Sequence, residues 1–168
     1  MWDMARPELI LKTIEKNPGI RFREIMDELE LKNGTLSHHL QKLERESVLR
    51  VERTPRVTRF YPLSVNEAEI PIIRRLRQET PRRILRLLLD VDEVNFSEIF
   101  LRIKRSPSTT SRYVTKLVDD GIIKDRFEKG KRFFSLLDKY TVDKLISKYH
   151  PDLMDKTTEN YSDVIESL

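Results

Sequence analysis

The stretch Thr35–Arg45, TLSHHLQKLER, gathers the side chains of this sequence best suited to chemistry. Ser37, His38 and His39 stand in a row, and Gln41, Lys42 and Arg45 follow within two helical turns. Such residues serve metal ligation, acid–base or nucleophilic catalysis, or hydrogen bonding to a large anion. Adjacent helical residues point about 100° apart, so His38 and His39 do not converge on one ion. The third histidine, His150, is far away in sequence, and there is no cysteine to supplement the set. Ser37 beside His38 is not a catalytic pair either, because nucleophile and base must converge and a third group must orient the base. With four glycines in all, the chain has no glycine-rich phosphate loop. The expectation is therefore no enzyme, no metal and no cofactor. A donor-rich surface for a large anion is the reading that is left.

The charge pattern points the same way. The 168 residues carry a net +4, but the charge is segregated. Residues 6–63 carry +3 (12 Lys and Arg against 9 Asp and Glu) and residues 80–137 carry +5 (13 against 8). Residues 138–168 carry −3 (4 against 7). Basic blocks favour a polyanionic partner. No run approaches the ~20 apolar residues of a membrane span, and the N-terminus lacks the basic-then-apolar pattern of a secretory signal. A cytoplasmic location is expected, with no membrane partner.

The elements that must position these residues are written twice. Displaced by 74 residues, Pro7–Leu49 lies on Pro81–Ile123 without a gap, and 10 of the 43 positions are identical. Among them are Ile10/Ile84, Leu11/Leu85, Phe22/Phe96, Ile25/Ile99, Thr35/Thr109, Ser37/Ser111, Lys42/Lys116 and Leu43/Leu117. In each copy a first helix opens at Pro7 or Pro81, where no N–H is needed. It buries Ile10, Leu11 and Ile14, or Ile84, Leu85 and Leu88. A short second helix carries Phe22, Ile25 and Leu29, or Phe96, Ile99 and Ile103, at helical spacing. A tight turn leads to a third helix, capped by Ser106 ahead of Pro107 in copy two and by Asn33 in copy one. Alternating strands follow, flanking Thr54–Arg56 in one copy and Glu128–Lys131 in the other, and read as hairpins with basic tips. Three helices and a two-stranded hairpin describe a winged helix-turn-helix. The fold expected is mainly α with small β-hairpin wings: winged helix-turn-helix modules at 6–63 and 80–137, a connecting helix at 64–79 and C-terminal helices at 138–168.

Leu36–Leu63 (LSHHLQKLERESVLRVERTPRVTRFYPL) resembles the recognition helix and wing of ArsR- and MarR-like regulators, and Thr109–Leu136 (TTSRYVTKLVDDGIIKDRFEKGKRFFSL) is a second such segment. Two units in one chain resemble archaeal tandem winged-helix regulators. That group includes activators that recruit the general initiation factor B and regulators of archaellum genes. The resemblance implies a sequence-specific regulator of promoter DNA, with double-stranded DNA as partner. It also admits a homodimer and contacts with a general transcription initiation factor or RNA polymerase.

On the third helix of copy one, Leu36, Leu40 and Leu43 form the buried stripe. Thr35, Ser37, His38, Gln41, Lys42 and Arg45 then face outward, where all can donate to phosphates or base edges. In copy two Thr110, Val114 and Leu117 point inward, leaving Ser108, Thr109, Ser111, Arg112, Thr115 and Lys116 outward. The wings add Arg53, Arg56 and Arg59, and Lys129, Lys131 and Arg132. His39, whose repeat partner is Tyr113, belongs at the margin of the core. A solvated polar face is the plainer reading of each set, but the donors coincide with the helix that a helix-turn-helix inserts into a major groove.

Val65–Thr80 reads as a short helix docking one module on the other. Val142, Leu145, Ile146 and Tyr149, and then Tyr161, Val164, Ile165 and Leu168, make two amphipathic stripes. They would cap the second core, or serve dimerisation or docking on a basic partner. Trp2 could join a dimer contact or its own core. The rival to the regulator is a tandem winged-helix protein-interaction module in a chromosome- or polymerase-associated complex. Such a module needs neither donor-rich third helices nor cationic wing tips in both copies.

Overall fold

The computed structural model describes residues 2–153, with side chains over residues 6–149. The expected stripe from Tyr161 to Leu168 and the side chains of Trp2 and His150 lie outside what it describes. The chain divides into two compact units between Ile70 and Pro71. The first contains α1 (Trp2–Lys16), β1 (Ile20–Arg21), α2 (Phe22–Leu29), α3 (Asn33–Arg45), β2 (Leu49–Arg53) and β3 (Thr58–Pro62). After a 3-10 turn at Glu67–Glu69, α4 (Ile70–Leu76) leads into the second. That unit holds α5 (Glu79–Asp90), β4 (Val94–Asn95), α6 (Phe96–Ile103), α7 (Pro107–Asp119), β5 (Ile123–Glu128), β6 (Lys131–Leu136) and α8 (Lys139–Leu153). Among the described residues no helix is long and apolar enough to cross a membrane.

The first core joins Ile10 and Ile14 of α1, Ile25 of α2 and Leu36, Leu40 and Leu43 of α3 to Leu49 and Phe60 of the sheet. The second repeats it with Ile84, Leu85, Leu88, Ile99, Ile103, Val114, Leu117 and Phe134. Each sheet has three strands rather than the expected two, in the orders β1-β3-β2 and β4-β6-β5. The extra strand pairs only Ile20–Arg21 with Arg59–Phe60, or Val94–Asn95 with Phe133–Phe134. Two residues are too few to show a period of two.

The turns repeat as closely as the helices. Glu30 (φ 52) and Lys104 (φ 56) end α2 and α6 in the left-handed conformation, each donating its N–H back to the helix, to Met26 O or Phe100 O. This closure satisfies helix-end carbonyls and re-aims the chain into the third helix. Ser47 (φ 56) and Gly121 (φ 71) do the same after α3 and α7. The next residues, Val48 and Ile122, donate to Leu43 O and Leu117 O at 3.0 Å. The second helices start on reciprocal contacts. Glu24 accepts from the Arg21 N–H at 3.0 Å, and Asn95 accepts from the Glu98 N–H at 3.0 Å.

Helix starts differ from expectation at two points. Pro7 lies inside α1, not in its first turn. The helix begins upstream, where no capping pattern announces it. Asn33 is the first residue of α3, and its cap position is Lys32, with no side-chain cap bond. Ser106 does cap α7, accepting from the Thr109 N–H at 3.2 Å, with Pro107 next.

Arg59 corrects the expected wing set. It is 6% exposed, and its Nη1 donates to Gly19 O at 2.9 Å, holding the turn after α1 against β3. Its guanidinium is turned to backbone inside the module, not to the surface of the wing. Copy two makes an equivalent tie from the other strand. Arg126, cross-strand from Phe133 as Glu52 is from Arg59, grips the Glu93 carboxylate at 2.8 and 2.7 Å.

The segment between the modules is divided: Glu67 pairs with Arg50 of the first module at 2.7 Å, and the part from Pro71 onward packs with the second. Arg74 and Arg75 of α4 bind Asp120, at the end of α7, at 3.3 and 2.6 Å. Buried Arg82 donates to Leu76 O at 2.9 Å, closing the end of α4. Glu79 binds Arg83 and also Arg105 of the α6–α7 turn, the latter at 3.0 Å. Val142, Leu145 and Tyr149 of α8 are buried, so this stripe caps the second core against α5.

Replacing Arg59 with Ala leaves the buried Gly19 carbonyl without this donor. It should lower the unfolding free energy by about 1–3 kcal/mol in urea titration.

Candidate nucleic-acid interface

In copy one α3 turns Leu36, Leu40 and Leu43 inward and exposes His38, Gln41, Lys42 and Arg45, with Thr35 and Ser37 half-buried beside them. The opposite face is left open because α1 and β2 pack against the inward side of α3. His39 is half-buried, and its ring meets that of His38 edge-on at 5.6 Å between centroids. Lys42 approaches Glu46 at 4.0 Å, a surface pair worth little. Among the described residues Arg45 has no ion-pair partner.

The wing of copy one is tied to this helix. Arg53, at the end of β2, meets Glu44 of α3 in a two-pronged contact, Nη1–Oε1 2.8 Å and Nη2–Oε2 2.6 Å. The hydrogen bonds from Arg53 hold the Glu44 carboxyl below the usual carboxylate range, and those to Glu44 raise the Arg53 guanidinium. A carboxylate with a depressed folded-state pKa contributes at neutral pH and loses its contribution as pH falls through that pKa. The contribution of this exposed pair is therefore present at neutral pH and is lost in acid. The wing tip turns at Thr54–Val57, where Thr54 Oγ1 donates to Val57 O at 2.9 Å and accepts its N–H at 3.1 Å. Arg56 is exposed there.

In copy two α7 buries Thr110, Val114 and Leu117 as expected, and Tyr113 completely. Ser108, Ser111 and Thr115 are exposed, while Thr109, Arg112 and Lys116 are half-buried. The cations of Arg112 and Lys116 each lie 5.1 Å from the Tyr113 ring centre. Wing two turns on two residues with positive φ, Lys129 (49) and Gly130 (76). That is the turn whose twist matches a hairpin. Lys129 and Lys131 are exposed at its tip, and Arg132 is exposed but bound to Asp125 at 2.7 Å.

The structure thus puts the outward residues of each third helix on one face and brings Arg53 to it. Arg59 is inside the module. Sequence reading missed the Glu44 clamp. The duplication held the clue: positions 44 and 53 are Glu and Arg, whereas positions 118 and 127 are Val and Phe, so the charges are present together or absent together. No set of three or more His, Asp or Glu side chains able to hold a metal ion occurs among the described residues.

Comparison with known proteins follows the same division. Residues 5–72 match the family model of an N-terminal HTH domain of the HVO_0163 type. Residues 77–124 match that of a winged helix-turn-helix DNA-binding domain. The uncharacterized HTH-type transcriptional regulator MJ1398 of Methanocaldococcus jannaschii is 26% identical over 141 residues, 84% of this chain and 34% of that protein. The chain spans about a third of that relative's length. Among solved structures, HlyU from Vibrio cholerae aligns at 26% identity over 50% of this chain and 89% of its own, with a TM-score of 0.44. A helix-turn-helix family model matches in each half and both wings are formed, so the chain carries two winged helix-turn-helix modules in tandem and is similar to transcription regulators built from them.

Proposed function

We propose that the chain is a cytoplasmic, sequence-specific double-stranded DNA-binding transcription regulator, of archaeal type, acting by binding equilibrium and not by catalysis. One observation carries the reading: in both copies the third helix keeps its apolar stripe in the core and turns a face rich in hydrogen-bond donors outward. Such a face matches a major groove, whose base edges and flanking phosphates are mostly acceptors. His38, Gln41, Lys42 and Arg45 would read or grip DNA from α3; Ser108, Ser111, Arg112, Thr115 and Lys116 would do so from α7. Arg56, Lys129 and Lys131 would meet backbone phosphates at the wing tips. The likeness to an archaeal HTH-type transcriptional regulator supports the archaeal setting and the regulatory role. Dimerisation through residues 138–168, and activation by contact with a basic initiation factor or polymerase, are finer parts of the proposal. The support for docking on a basic partner is that segment's net −3.

Replacing Lys42 and Arg45 together with Ala should weaken duplex binding and flatten the slope of log affinity against log salt, by up to about 0.9 per lost phosphate contact. The thermal midpoint should stay close to wild type, since both side chains are exposed. Unchanged affinity and slope would remove α3 from the interface. Glu44→Gln should act oppositely. Arg53 loses its anionic partner and becomes available to phosphate, so affinity at low salt rises and the slope steepens, as measured by fluorescence anisotropy.

A further inference from the structure

Wing two carries a side chain that neither its core nor its ion pairs use. Phe127, on β5 two residues before Lys129 at the tip, is 74% exposed. Its repeat counterpart is Arg53, which copy one spends on the clamp to Glu44. Copy two has Val118 at the position of Glu44 and no such clamp. Strand alternation puts Phe127 on the face that carries Ile123 and Asp125, beyond the edge of the core, with Arg132 directly across the ladder. Arg132 does not cover it, because its guanidinium turns back to Asp125 and lies 5.2 Å from the Phe134 ring centre.

The charges around the ring select its partner. Both carboxylates of this wing are already engaged, Asp125 with Arg132 and Glu128 with Arg126. Lys129 and Lys131 form no ion pair among the described residues. An exposed aromatic among free cations suits a surface that offers phosphates and, between them, an apolar slot. A duplex minor groove has that form: backbone phosphates line it, and apolar side chains wedge between its base steps.

We propose that wing two inserts Phe127 into a minor groove of the bound duplex, as an apolar wedge flanked by phosphate contacts from Lys129 and Lys131. The inference rests on the DNA-binding reading above and deepens it. It assigns the two wings different work: wing one is a cationic strand braced on its own third helix, and wing two is an apolar probe. A wedge that opens a base step bends the duplex, so the second module would select deformable steps as well as base edges.

The test uses the full chain, a mixed-sequence duplex of about 25 base pairs with a donor and an acceptor dye at its ends, and a range of salt concentrations. Phe127→Ala should weaken binding about tenfold and abolish the bend seen as energy transfer. The slope of log affinity against log salt should not change, because phenylalanine neutralises no phosphate. Phe127→Leu, still an apolar wedge, should restore much of the affinity and the bend. Lys129→Ala should behave differently, lowering the slope by about 0.9. Wild-type affinity and bending in Phe127→Ala would overturn the inference while leaving the regulator reading intact. So would a variant that changes only the mass of the protein in light scattering, which would make Phe127 a contact between copies. A wild-type chain that binds no duplex would overturn both readings, and it is told apart because no variant comparison then arises.

Discussion

Both modules depend on one packing arrangement, the inward stripe of the third helix against the first two. Leu36, Leu40 and Leu43 in one copy, and Thr110, Tyr113, Val114 and Leu117 in the other, are 5% exposed or less. Burial of that stripe fixes the rotation of the helix about its own axis, and so which residues face out. A single helix of 13 residues would be marginal in water. Its presentation to a partner is a property of the core beneath it. The left-handed Glu30 and Lys104 complete the constraint by setting the angle at which that helix leaves its neighbour. Non-glycine residues adopt this conformation at a cost, which the packing of both helices offsets.

The duplication lets copies be compared as variants of one design. The turns, the inward stripes and the strand registers are kept, which marks them as what the fold needs. The tie between sheet and first turn is kept in place but not in chemistry: Arg59 reaches a carbonyl in one copy and Arg126 a carboxylate in the other. The wing is where the copies part. Wing one has a bidentate Arg53–Glu44 bridge, and wing two has Phe127 and a tight Lys129–Gly130 turn. Divergence concentrated at the outer surface, over a preserved core, is the pattern expected when each module meets a different feature of its partner.

Much of this was legible in the residues. Helical periodicity with an ungapped internal match was enough for the three-helix order, the inward stripes and the hairpins. Ser106-Pro107 marked a helix start correctly, because a cap and a fixed φ are local properties. One error came from a non-local contact. Arg59 looked like a wing cation because nothing nearby in sequence reveals a carbonyl 40 residues away. The two-residue strands were too short to show a period, and the start of α1 upstream of Pro7 has no capping signal. In the candidate site, the outward faces of α3 and α7 followed from their stripes. The pairing of Arg53 with Glu44 did not, since it joins a helix to a strand across a turn.

The central claim is that these two faces and wings bind duplex DNA and choose among sequences. The most direct measurement incubates the full chain with a pool of random-sequence duplexes at several salt concentrations and sequences the bound fraction. Retention should fall about 10³–10⁵-fold between roughly 50 and 200 mM salt, as for ~6–10 phosphate contacts, together with enrichment of a defined motif. Absence of binding at the lowest salt would contradict it, and so would binding without any enriched sequence.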